Sequence, residues 1–214
     1  MKPFRVIESS YLAPLESDLF DENGLLRVMS YDYYKQVPKD VLRYFAHQYG
    51  IYVFPTTEMI DWFRENIEGT AIEIGAGHGA LSRALGIPIT DSRMQELPEI
   101  ILYYQLMRQP VIKYPDDIEK LDAEDAITKY LPDNVIGGYI IERWRPNYEQ
   151  GNHLGVNEHD VIKRAKKYIL ILNMHDHKDK WLFQSPHKAY KFPWIVTRSE
   201  HSANRICVWK GKKK

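Results

Sequence analysis

The chain has 214 residues, with 29 Lys+Arg balanced by 29 Asp+Glu, 44% hydrophobic and 27% charged. This length sets one domain with room for a sizeable core as the default, and the balanced charge supplies no global field for nucleic acid or an anionic membrane. Cys207 is the only cysteine, which excludes an intrachain disulfide and argues against a cysteine-built zinc site; Met1-Lys2-Pro3-Phe4-Arg5 leads into no apolar signal region, so a cytoplasmic location is expected.

Residues 1–55 read as an N-terminal helical and aromatic extension. Leu12, Leu15, Leu19 and Phe20 have helical spacing interrupted by Pro14, and Asp21-Glu22-Asn23-Gly24 signals a turn. Pro38 suits the first position of a helix that carries Val41, Leu42, Phe45 and Tyr49 on one face and ends at Gly50. Ile51-Tyr52-Val53-Phe54-Pro55 is apolar and extended. Two accounts of these aromatics stand side by side: a lid over a site, or packing of Tyr49, Tyr52 and Phe54 against a sheet edge.

A second region spans 56–210. Thr56 or Thr57 caps a helix with Met59, Ile60, Phe63 and Ile67 as its apolar stripe. The run from Thr70 to Gly79, followed by Ala80-Leu81-Ser82-Arg83-Ala84-Leu85, reads as strand, glycine turn and helix. Glycine suits this turn because a side chain would block a ligand lying against it and because the turn calls for positive φ. Gly86 stops the helix, and Ile87-Pro88-Ile89-Thr90-Asp91 forms a second strand. Its terminal acid lies about eighteen residues after Glu73. That matches the spacing of a ribose-binding carboxylate, with an Asp-Ser-Arg turn as the alternative.

Pro98 starts a helix with Ile101, Tyr104 and Met107 inward, and Ile118-Glu119-Lys120-Leu121 leads into Asp122-Ala123-Glu124-Asp125. Val135–Ile141 and Tyr168–Asn173 read as strands buried on both faces. Between them lie Glu142-Arg143-Trp144-Arg145-Pro146, a loop over 151–155, and a helix over 158–167 capped by Asn157. Ile195–Arg198 and Arg205–Trp209 read as an antiparallel hairpin. Residues 211–214 end the chain as a solvated basic tail.

Glu73-Ile74-Gly75-Ala76-Gly77-His78-Gly79 resembles the first motif of class I methyltransferases, which bind S-adenosylmethionine. Gly75-x-Gly77-x-x-Ala80 also satisfies the dinucleotide pattern G-x-G-x-x-G/A. Glu73 separates the two on charge, because it repels a pyrophosphate and attracts an ammonium and a sulfonium. Asp122-Ala123 resembles the family's third motif, in which the acid and a backbone N–H read adenine; capping of a helix is the other reading. The resemblance implies an α/β fold with a doubly wound, mostly parallel sheet and a C-terminal antiparallel hairpin. It implies that Glu73, Gly75, Ala76, Gly77, Asp91, Asp122 and Ala123 hold the cofactor.

Methyl transfer from a sulfonium is an in-line displacement that requires alignment, a polar site and sometimes a base, but no metal. Where the family's amino-methylating enzymes carry Asn/Asp-Pro-Pro-Tyr/Phe, this chain has Gly138-Tyr139-Ile140-Ile141. That departure argues against methylation of bases or glutamine. Glu142 is the candidate base or substrate anchor, with surface pairing to a neighbouring Arg as its alternative, and Tyr139 and Trp144 are candidate substrate contacts. Asn173-Met174-His175-Asp176-His177 supplies metal-type ligands without an identifiable full set, and reads as a polar loop in which His175 is a candidate active-site base. The expected partner is a small molecule or a protein side chain. A catalytically inactive binding protein of the same fold and an NAD-dependent oxidoreductase are the alternatives.

Overall fold

The structure, a computed structural model, describes residues 12–144 and 152–211. Met1–Arg5, Arg145, Pro146, Gly151 and the last three residues of the basic tail lie outside the described residues.

Local chemistry sets the N-terminal elements. Pro14 falls in the first turn of α1 (Ala13–Leu19), where its missing N–H costs nothing, so the interruption expected there becomes a helix start. Asp21 Oδ1 accepts from Asn23 N and Leu25 N at 2.9 and 2.8 Å, building the turn that returns the chain at Gly24. Ser30 caps α2 (Tyr31–Gln36) by accepting from Tyr33 N at 3.2 Å, and Pro38 precedes α3 (Lys39–Gln48). Leu15, Leu19, Tyr34, Leu42 and Phe45 form one apolar cluster, joined by Phe54 of β1 (Val53–Phe54). Thr56 caps α4 (Thr57–Asn66), accepting from Met59 N at 3.1 Å.

The remaining elements alternate. They are β2 (Ala71–Ile74), α5 (Ala80–Leu85), β3 (Thr90–Asp91), α6 (Pro98–Leu106), β4 (Glu119–Lys120), α7 (Ala123–Tyr130), β5 (Asn134–Gly138), α8 (Glu158–Arg164), β6 (Lys167–Asn173), α9 (Met174–His177), β7 (Lys188–Tyr190), β8 (Val196–Thr197) and β9 (Asn204–Lys210). The main sheet has five strands in the order β2-β5-β6-β9-β7. β2, β5 and β6 are parallel, and β9 runs antiparallel to both its neighbours. β3 pairs in parallel with β4 and joins the other side of β2 through a parallel bridge between Glu73 and Ile89. After β2 the chain builds outward through β3 and β4, then crosses back to β5, so the order reverses beside β2. Val135, Ile136, Ile169, Leu170 and Ile171 are wholly buried, as strands covered on both faces require.

Two expectations are corrected. β9 pairs antiparallel with β6 and with β7, not with the Ile195–Arg198 run; β8 within that run pairs antiparallel with β1. Asn204 explains the difference. Its Nδ2 donates to Ile195 O at 2.8 Å and its Oδ1 accepts from Thr197 Oγ1 at 2.8 Å, so side chains replace the ladder a hairpin would need. In α6, Met107 just past the helix is exposed rather than inward, as are Leu102, Tyr103 and Leu106, while Ile101 and Tyr104 are half-buried. This helix is apolar all round, so no single face is favoured for burial. Among the described residues no helix is long and apolar enough to cross a membrane.

Cys207 lies wholly buried on β9, and burial pushes its thiol up to about 12. A thiol-specific chromogenic reagent at pH 8 is therefore expected to leave the native protein unmodified and to titrate one thiol after denaturation. Rapid reaction of the native protein would contradict this packing.

Candidate functional site

The C-terminal ends of β2, β3 and β5 open into one crevice, at the point where the strand order reverses. In open parallel sheets that point is where ligands lie. The floor is the glycine turn. Gly75, Gly77 and Gly79 have φ of +57, +58 and +68°, left-handed conformations that strain any L side chain. A Cβ at Gly75 would also fall 2.6 Å from Ile140 Cδ1, and one at Gly79 would fall 2.9 Å from Ile89 Cγ2. Close approach within the protein thus demands glycine at these positions as much as any ligand does.

Two carboxylates from adjacent strands line the crevice. Glu73 is only 5% exposed, and its Oε2 accepts from Ser82 Oγ at 2.5 Å and from Ser82 N at 3.3 Å. Burial, opposed by the Ser82 hydrogen bonds and reinforced by the Asp91 charge, raises its pKa to about 7. Glu73 is therefore a half-titrated group at neutral pH, not the permanent anion its sequence position suggests.

Asp91 is equally secluded, and burial raises its pKa too. Its Oδ2 accepts from Gly77 N at 3.0 Å and its Oδ1 from Arg93 N at 2.7 Å, with the Tyr114 side chain as a third donor. A carboxylate offers about four lone-pair sites, which leaves one for an incoming hydroxyl. The Arg93 guanidinium donates to Ile118 O at 2.6 Å and Pro115 O at 3.2 Å, and its charge offsets part of the burial effect on Asp91. His78 bonds to Tyr49 O through Nε2 at 2.9 Å, and burial lowers its pKa, so this ring is neutral and tied to the N-terminal extension.

The far wall is built from several chain segments. Tyr139, just past β5, has φ +54° and donates its hydroxyl to Thr197 Oγ1 at 2.9 Å. Thr197 donates in turn to Asn204, whose Oδ1 also accepts from Asn173 Nδ2 at 2.7 Å. This buried network fixes the ring of Tyr139. Tyr52 lies beside it, with ring centroids 5.7 Å apart, and the Tyr52 and Tyr104 hydroxyls are 3.2 Å apart.

Glu73, Gly75, Ala76, Gly77, Asp91 and Tyr139 line this single crevice. The other expected site residues do not. Asp122 caps α7, accepting from Asp125 N at 2.8 Å, and Ala123 packs in the core. Glu142 is buried and accepts from Trp181 N at 3.2 Å, while its neighbour Arg143 pairs with Glu124 at 2.7 Å, so the expected surface pairing of Glu142 is replaced by a buried one. Trp144 is 51% exposed and outside the crevice lining. His175 is exposed on α9, where Asn173 Oδ1 accepts from its backbone N at 2.9 Å.

His177, two residues further, is the imidazole that turns inward. Its ring stands perpendicular to Tyr139 at 4.8 Å and its Nδ1 bonds to Asn173 O at 2.9 Å. Burial lowers its pKa, which keeps it neutral at pH 7. Reading the segment as a loop hid this choice; the helical spacing of α9 is the signal that separates the two histidines onto different faces.

The site belongs to a mixed α/β protein with a glycine-lined crevice at the reversal of its sheet order. No family model matches the chain, and no curated protein matches it. Solved structures do. Magnesium protoporphyrin IX methyltransferase from Synechocystis PCC 6803, solved with bound S-adenosylmethionine, is 15% identical with a TM-score of 0.40, over 96% of this chain and 98% of that one. A protein from Pyrococcus horikoshii OT3 is 14% identical with a TM-score of 0.36, over 85% and 99%. The catalytic domain of hMettl16, in complex with the MAT2A 3'UTR hairpin 6, is 14% identical with a TM-score of 0.33, over 97% and 94%. These structural neighbours include S-adenosylmethionine-dependent methyltransferases at low identity. Neither ligand nor chemistry transfers at such superpositions.

Proposed function

We propose that the crevice binds S-adenosylmethionine and that the protein transfers its methyl group to a small molecule or a protein side chain, on a doubly wound sheet of the class I methyltransferase kind. One observation carries this reading: buried Glu73 and Asp91, from adjacent parallel strands, converge on one glycine-lined crevice where the strand order reverses. Two acids in one secluded site oppose a pyrophosphate and favour a ligand that brings positive charge and hydroxyl donors.

The donor set fits such a ligand. The Glu73 carboxylate would hold an ammonium, and Asp91 keeps one acceptor site that would take a ribose hydroxyl. Bound there, the cofactor supplies a methyl group activated on a sulfonium. The chain's part is to hold that group, exclude water with Ile140 and Tyr139, and align an acceptor arriving past the Tyr139 wall.

Calorimetry separates the readings. Binding of S-adenosylhomocysteine without binding of NADH supports a methyltransferase-type site, whereas the reverse pattern defeats it. Turnover of S-adenosylmethionine in the presence of acceptor pools distinguishes an enzyme from an inactive binding protein. Asp91→Ala is expected to weaken S-adenosylhomocysteine binding by about 1–3 kcal/mol, the scale for removing one polar partner in a buried site. Unchanged affinity would remove Asp91 from the ribose subsite.

A further inference from the structure

Arg198 lies immediately after β8, and its guanidinium lies over the Tyr52 ring at 4.0 Å. Its backbone N donates to Tyr52 O at 3.1 Å, so both chain segments are tied together at this point. Among the described residues no carboxylate closes an ion pair with Arg198. The other arginines near the crevice are committed: Arg83 pairs with Asp117 at 2.9 Å, and Arg93 bonds to two backbone carbonyls. Arg198 is thus a guanidinium whose face is occupied by an aromatic ring while its edges remain available as donors.

Its neighbours define what those edges can meet. Tyr52 and Tyr139 line the crevice with ring centroids 5.7 Å apart and tilted planes, and Tyr104 and His177 support them, Tyr104 through the Tyr52 hydroxyl and His177 edge-on to Tyr139. The charged groups next to these rings are Arg198 and Asp176, and Asp176 accepts from Ser199 Oγ at 2.5 Å, whereas Glu73 and Asp91 lie at the glycine-turn end of the crevice. A single guanidinium beside one acid suits a monoanion better than a dianionic phosphate. Its planar fork matches the two oxygens of a carboxylate.

We infer that Arg198, with Tyr52 and Tyr139, forms an acceptor subsite for a small planar molecule bearing a carboxylate, the guanidinium gripping the acid while the tyrosine pair bounds one side of the molecule. The inference rests on the proposed function only for calling this molecule the acceptor. The subsite itself stands on Arg198 and the aromatic wall.

Titrations of 4-hydroxybenzoate and its neutral counterpart 4-hydroxybenzamide, with and without saturating S-adenosylhomocysteine, test it. The wild-type protein is expected to bind the acid at least about tenfold more tightly than the amide, the preference a charge-assisted pair confers. Phenyl phosphate is expected to bind more weakly than the acid. Arg198→Gln should equalise acid and amide, and Arg198→Lys should restore part of the difference, with amide binding in both variants reporting that the wall remains folded. Equal binding of acid and amide by the wild type, an unchanged ratio in Arg198→Gln, a preference for phenyl phosphate, or no binding of any probe at 10 mM would each overturn the inference. Binding of S-adenosylhomocysteine without acid discrimination defeats the subsite and leaves the cofactor reading standing. Arg198-dependent acid binding without S-adenosylhomocysteine binding does the reverse.

Discussion

Glu73→Gln is expected to stabilise the ligand-free protein at pH 8 and to weaken its cofactor binding. The carboxyl is almost wholly buried, and burial lifts its pKa from the ordinary 4.5 to about 7. A raised folded-state pKa means that the folded protein holds this proton more tightly than the unfolded chain does. Its contribution to stability is therefore fully present below pH 4.5 and is lost as the pH rises through about 7. Once ionised, the buried carboxylate costs up to about 3 kcal/mol, at about 1.4 kcal/mol per tenfold change in proton affinity. Glutamine carries no charge at any pH, and its amide oxygen can still accept from Ser82.

Urea unfolding at pH 5 and pH 8 reads the difference. The variant should gain about 2–3 kcal/mol over wild type at pH 8 and far less at pH 5. An advantage of equal size at both pH values would mean that Glu73 is not the titrating group. The cofactor side of the prediction has the opposite sign. An ammonium pairs with the ionised form, so wild-type affinity for S-adenosylhomocysteine should fall by about tenfold from pH 8 to pH 6 as binding has to expel the Glu73 proton. Glu73→Gln should bind more weakly and with little pH dependence. A charged group that destabilises the empty protein and is compensated by its ligand is a pattern expected of a binding site.

Local periodicity made this part of the chain readable. The apolar run before Gly75, the three alternating glycines and the helical spacing after them depend only on near neighbours, and β2, the turn and α5 occupy those positions. The placing of Asp91 beside Glu73 followed from strand-to-strand spacing, and the two acids do share a crevice. What the sequence did not disclose depends on distant pairing. Lys188-Ala189-Tyr190 carries no apolar alternation, yet it forms the edge strand against β9, whereas the more β-like Ile195-Val196-Thr197 includes β8, which finds its partner in the N-terminal extension. The stacking of Arg198 on Tyr52 joins segments that nothing in their local sequence connects. Glu142 illustrates a different limit. Its charge suggested solvent or substrate, but the polar partners that permit its burial lie on other elements.

Lys180→Met is expected to destabilise the protein by about 3–5 kcal/mol, the cost of leaving a buried charge without its partner. Lys180 and Glu158 form an ion pair in which the side chains are 2% and 0% exposed. Glu158 also accepts from the Tyr168 hydroxyl at 2.8 Å, and burial raises the pKa of that tyrosine well above its usual value. The pair fastens the start of α8 to the 3₁₀ turn at Trp181–Gln184 across β6, and Trp181 N donates to the buried Glu142 that follows the Tyr139 wall. Removing the ammonium leaves the Glu158 carboxylate with one neutral hydroxyl donor. Replacing both partners, as Glu158→Leu with Lys180→Met, should recover part of the loss, since the apolar pair carries no buried charge but leaves the Tyr168 hydroxyl without its acceptor. Urea midpoints for the wild type, both single variants and the double variant form the required cycle. If the double variant were as unstable as the sum of the singles, the two side chains would be acting independently, and the fastening of α8 would have to come from packing alone.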